Sequence, residues 1–62
     1  MDNKIIVTIN EMIADLENAK EEARKFEGGN GSAGTRVRKA MQQIKADAQQ
    51  VRLKVTEMKA NS

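Results

Sequence analysis

The chain contains no cysteine, histidine, proline, tryptophan or tyrosine, and its one aromatic residue is Phe26. Without cysteine there is neither a disulfide nor a thiolate metal site, and without histidine the commonest metal ligand and general base is missing. Sixty-two residues with a single aromatic cannot fill the core of an independent enzyme domain. The carboxylates sit along a charged surface that offers no evident pocket. The chain is therefore expected to be no enzyme, with no metal, no cofactor and no small-molecule substrate. No apolar run approaches the roughly 20 residues of a membrane helix, and Met1-Asp2-Asn3-Lys4 lacks the layout of a secretory signal. The expectation is a cytoplasmic chain with no membrane partner.

The charge that is present is unevenly placed. The net charge is only +2, but residues 1–27 carry four cations and seven anions, whereas residues 28–62 carry seven cations and two anions. An acidic half followed by a basic half hints at a cationic contact face.

In the first half, Ile5, Ile9, Met12, Leu16, Ala19, Ala23 and Phe26 recur with spacing 4-3-4-3-4-3, the pattern of a coiled-coil seam. With Ile9, Leu16 and Ala23 at heptad position a, Ile5, Met12, Ala19 and Phe26 fall at d. Ile6 and Ile13 fall at e and broaden the apolar face, as more than one partner helix would require. Ile5-Ile6-Val7-Thr8-Ile9 read alone resembles a strand, but the unbroken heptad decides for helix, with Asp2 or Asn3 as candidate N-caps. Glu17, Glu21 and Glu22 mixed with Lys20, Arg24 and Lys25 describe an ordinary solvated helix surface with i,i+4 pairs such as Glu21 with Lys25.

All four glycines lie in Gly28-Gly29-Asn30-Gly31-Ser32-Ala33-Gly34. Gly28 is the expected C′ residue ending the first helix, and Ser32 or Asn30 can cap the second. Two motif matches are set aside. Gly29-x-Gly31-x-x-Gly34 fits the dinucleotide-binding fingerprint but follows a helix instead of a strand, and Asn30-Gly31-Ser32 fits a glycosylation acceptor without an export signal. What remains is a glycine turn opening a helix N-terminus, whose free amides and dipole favour anions, reinforced by Arg36, Arg38 and Lys39.

The second half repeats the seam as Val37, Met41, Ile44, Ala48, Val51, Val55 and Met58. With Met41, Ala48 and Val55 at a, and Val37, Ile44, Val51 and Met58 at d, every e position is basic: Arg38, Lys45, Arg52 and Lys59. In a simple antiparallel pair these face Ile6, Ile13, Lys20 and Glu27, of which only Glu27 can neutralise a cation. Most of the row is left for an external anion. Nucleic acid is the extended anion that fits, through its backbone, because neither a sequence-reading module nor an aromatic stacking platform is present.

These readings specify an all-α fold, a single domain over residues 1–62. A first helix of about 4–27, a turn at 28–32 and a second helix of about 33–60 form an antiparallel, coiled-coil-like helical hairpin. Such a hairpin buries little, so pairing into a four-helix bundle or higher homo-oligomer is expected. Its core and oligomerisation residues are Ile5, Ile9, Met12, Ile13, Leu16, Phe26, Val37, Met41, Ile44, Val51, Val55 and Met58.

The segment Gly29-Asn30-Gly31-Ser32-Ala33-Gly34-Thr35-Arg36-Val37-Arg38-Lys39-Ala40-Met41 resembles the bacterial linker-histone-like nucleoid proteins, the family named for the chlamydial histone-like protein and including short Bacteroidetes members. The shared feature is a G-N-K-x-A-G-T-R-V-R-K-type segment between an acidic amphipathic helix and a basic one. The resemblance continues weakly from Ile44 to Lys59. It implies a nucleoid-associated, chromatin-condensing protein that self-associates through its helices, with Thr35, Arg36, Arg38 and Lys39 carrying over to DNA contacts. Two departures stand out: Gly31 occupies a position where lysine is common, and no lysine-rich tail follows Ser62. The candidate DNA-binding residues are therefore Thr35, Arg36, Arg38, Lys39, Lys45, Arg52 and Lys59, and the expected partners are DNA and a second copy of the chain in the bacterial nucleoid. The alternative is a coiled-coil interaction module whose partner is an acidic protein or helix.

Overall fold

Heptad spacing and a glycine break together call for two helices folded back on each other, and the computed structural model, which describes residues 4–61, has that form. The helices α1 (Lys4–Glu27) and α2 (Gly31–Ala60) pack against each other along their length, and no strand occurs among the described residues. The β-branched run Ile5-Ile6-Val7-Thr8-Ile9 is helical. At about 1.5 Å per residue the helices measure about 36 and 45 Å, within a molecule 50 Å long and 16 by 11 Å across. The candidate caps Asp2 and Asn3 lie outside the described residues.

The turn is shorter than the expected 28–32. The Asn30 N–H donates to the Lys25 carbonyl at 2.9 Å and the Gly29 N–H to the Phe26 carbonyl at 3.0 Å. This is the paired arrangement that ends a helix on a left-handed residue. That residue is Gly29, with φ of 108°, and not the expected Gly28, whose N–H still bonds the Arg24 carbonyl. Asn30 then caps α2, its Oδ1 accepting from the Ala33 N–H at 3.3 Å. Because Asn30 caps in place of Ser32, α2 begins at Gly31, two residues before the expected start. Only Gly29 requires the left-handed region. Gly29→Ala should therefore destabilise by about 1 kcal/mol, lowering the melting midpoint by about 4–8 °C in a domain of this size, measured by circular dichroism.

The helices close through the d half of the expected seam together with the neighbouring g positions. Among the residues turned inward are Ile5, Thr8, Met12 and Asp15 on α1 and Val37, Ala40, Ile44, Asp47 and Val51 on α2, all half-buried, around the fully buried Ala19 and Ala33, with the small a residues Ala23 and Ala48 half-buried at the edge. The expected a residues Ile9, Leu16, Met41 and Val55 are exposed, as are Ile13, Phe26 and Met58. Small side chains explain the rotation: Ala19, Ala33 and Ala40 let the backbones approach closely, where Ile9 and Leu16 would hold them apart. The turn enforces the same approach. A Cβ on Gly34 would sit 2.6 Å from the Phe26 ring, so glycine there is what lets Phe26 lie across the start of α2.

The two helices run in opposite directions, so equal heptad positions fall on the same side of the hairpin. One side carries c and g and is polar, its open groove lined by Lys4, Glu11, Asp47, Gln50 and Glu57. The opposite side carries a and is apolar.

Candidate nucleic-acid interface

The face of α2 turned away from α1 is built from b, e and f positions. The e row Arg38, Lys45, Arg52 and Lys59 steps seven residues at a time, about 10.5 Å, and spans about 32 Å, close to one turn of B-form duplex. All four are exposed. Beside them run Thr35, Gln42 and Gln49 at b, also exposed, and Lys39 at f. Nothing in the charge pattern singled out Gln42 and Gln49. Their place beside the cations follows from the helix phase alone, which separates them from Gln43 and Gln50 on the polar groove side.

Arg38, Lys39 and Lys45 make no ion pair among the described residues, whereas most other cations of the chain do or are otherwise engaged. Arg24 pairs with Glu21, Lys25 with Glu22 at 3.3 Å, and Lys54 with Glu57 at 3.8 Å. Arg52 donates to the neutral Oε1 of Gln49 at 3.4 Å, which orients its guanidinium along the outer face without cancelling its charge. Gln43 donates to Asp47 at 3.1 Å, turning this α2 carboxylate toward the groove and away from the row.

Arg36 stands apart from the rest of the candidate set. At position c it lies on the polar side, where its Nε donates to Glu22 of α1. That hydrogen bond holds the Glu22 carboxyl below its ordinary value, against partial desolvation that pushes it up, with Lys25 assisting. The depressed carboxyl stabilises the fold above its unfolded-state value near 4.5, and the contribution is lost as pH falls through the lower folded-state value. Glu22→Gln should remove this part of the acid sensitivity. It should leave the log-affinity against log-salt slope for DNA unchanged, read by anisotropy titration, because Arg36 lies off the outer face.

The helix N-terminus predicted as an anion site is partly used by the protein itself, since the Asn30 side chain takes the Ala33 N–H. No acidic residue occupies the first turn of α2. Thr35 stands one turn in, on the outer face near Arg38 and Lys39. Phe26 is 53% exposed, and with Gly34, Thr35 and Arg38 it lines an open depression beside the turn. The expectation that it sits inside the seam is therefore met only on its Gly34 side.

Fold and charge together define the class: a small all-helical hairpin whose second helix presents a basic outer face. The family model described as Histone H1-like protein Hc1 matches residues 6–61. The chain belongs to that histone H1-like family, in accord with the resemblance carried by the glycine turn and the Thr35-Arg36-Val37-Arg38-Lys39 segment. Neither the curated proteins nor the solved structures include a match to it. No helix among the described residues is long and apolar enough to cross a membrane.

Proposed function

We propose that this protein binds the DNA backbone without reading sequence, using the outer face of α2, and that by self-association it joins duplex segments in the bacterial nucleoid. The observation that carries the reading is the row Arg38, Lys45 and Arg52, with Lys39 beside it: exposed, repeating each heptad, and facing no carboxylate of its own chain among the described residues. Membership of a histone H1-like family points the same way. Phosphate is the anion that recurs along a track such a row can follow, and each contact releases condensed counterions. Thr35, Gln42 and Gln49 add neutral donors of the kind that contact phosphate and sugar oxygens. Base readout is not part of the reading, because the face carries no module known to enter a groove and present side chains to base edges.

Gel shifts with short duplexes of unrelated sequence test this. The affinities should agree within a few-fold; a preference above about tenfold would contradict backbone binding. Absence of any shift at low salt would favour an acidic protein or helix as the partner.

A further inference from the structure

We infer that the depression beside the turn takes an unpaired nucleobase, which stacks on the Phe26 ring while the adjoining phosphate meets Arg38. The inference rests on the DNA reading above and adds a second kind of contact, one that a duplex without unpaired bases does not offer.

Phe26 is the one aromatic residue of the chain, and the heptad pattern assigns it to the seam. The fold leaves it more than half exposed instead. Its Cδ1 and Cε1 atoms lie against Gly34, where an added Cβ would sit 2.6 and 2.7 Å from them. The ring is thus braced by backbone along one edge while much of the residue meets solvent. An exposed aromatic ring at the end of a cationic row is the combination that binds single-stranded nucleic acid: bases stack on the ring and phosphates follow the charges.

The depression has a volume of about 420 Å³, within the range of small-ligand sites, and is lined by Phe26, Gly31, Gly34, Thr35, Val37 and Arg38. Phe26 and Val37 supply apolar surface for the face of a base. A Cβ added to Gly31 would meet nothing within 4 Å, so the space beside it is open. The Thr35 hydroxyl both donates and accepts, and can meet the edge of any base. No carboxylate lines the depression to repel a phosphate.

Arg38 decides the occupant. It lines the depression and is also the first member of the row that continues through Lys45 and Arg52, and it pairs with no carboxylate among the described residues. An apolar segment filling the site would strip water from this charge and give nothing back. A phosphate replaces that water with a charge-assisted hydrogen bond. A strand whose phosphates follow the row therefore reaches the depression at the turn end. A paired base would first have to leave its stack, a cost that is smallest where the strand is already single. Every base has a π face, so the contact is tolerant of sequence and keeps the binding non-specific.

The test compares a duplex carrying a short single-stranded thymine tail with the same duplex blunt, by fluorescence anisotropy at one salt concentration. The tail should tighten binding about tenfold. Phe26→Leu, which keeps an apolar side chain against Gly34, should abolish that gain and leave the blunt affinity and the helical circular dichroism unchanged. A gain that survives Phe26→Leu would come from the added phosphates alone and would overturn the inference. Equal affinities for tailed and blunt duplex would overturn it while leaving backbone binding intact, whereas failure to bind either duplex would overturn the backbone reading as well. Because the chain has no tryptophan or tyrosine, Phe26→Trp places a unique fluorophore in the depression. Its emission should be quenched by a thymine oligonucleotide and not by a relaxed, closed circular duplex. Unchanged emission with the oligonucleotide bound, or equal quenching by both, would overturn the site.

Discussion

Replacing Arg38, Lys45 and Arg52 together with glutamine is expected to weaken binding to random-sequence DNA about a hundredfold at physiological salt, with the helical circular dichroism unchanged. The size follows from counterion release: each phosphate contact contributes a salt exponent of about 0.9, equivalent to about fivefold at 0.15 M, and three contacts multiply. The unchanged fold follows from position. All three side chains are exposed, and among the described residues none pairs with a carboxylate; glutamine keeps much of their aliphatic stems. The loss should be equal for unrelated sequences, since phosphates carry no sequence information. Equal loss of helicity would instead make these residues structural, and the DNA reading would lose its main support.

The second large effect concerns the apolar side. In a lone hairpin Ile9 and Leu16 are exposed, and polar replacements there would change stability by no more than about 0.5 kcal/mol. If a second copy covers them, each replacement removes a buried aliphatic side chain at a cost of about 2–4 kcal/mol. Ile9→Asn with Leu16→Asn should then cost about as much as the whole stability of a 62-residue domain. The expected result is loss of most helical signal at micromolar concentration. An unchanged melting curve would show that the hairpin stands alone.

Much of this architecture could be read from the residues in order. Two unbroken 4-3 spacings and one cluster of glycines give two helices and a reversal, because periodicity and left-handed backbone are local properties. The choice of Gly29 over Gly28 as the left-handed residue was not legible, since adjacent glycines offer the same freedom and only the hydrogen-bond geometry separates them. The closing face was not legible either. α1 is apolar at d, a and e, a band wide enough to pack on two helices, and which part turns inward depends on how closely Ala19, Ala33 and Ala40 let the backbones approach. In the candidate site, the row Arg38, Lys45, Arg52 and Lys59 follows from the seven-residue repeat alone. The pairing of Arg36 with Glu22 does not, because it depends on the level of one helix against the other, fourteen residues apart in sequence. The same geometry moves Gln42 and Gln49 onto the cationic face and Gln43 and Gln50 off it.

Arg38, Lys45 and Arg52, with Lys39 beside them, pair with no carboxylate among the described residues. Salt titration of binding to a labelled random-sequence duplex, followed by fluorescence anisotropy, tests their contact with DNA most directly. Four cations per duplex, Arg38, Lys39, Lys45 and Arg52, predict a slope of about −3.5 in log affinity against log salt. A slope near zero would mean that phosphates do not meet these side chains, and the DNA reading would fall.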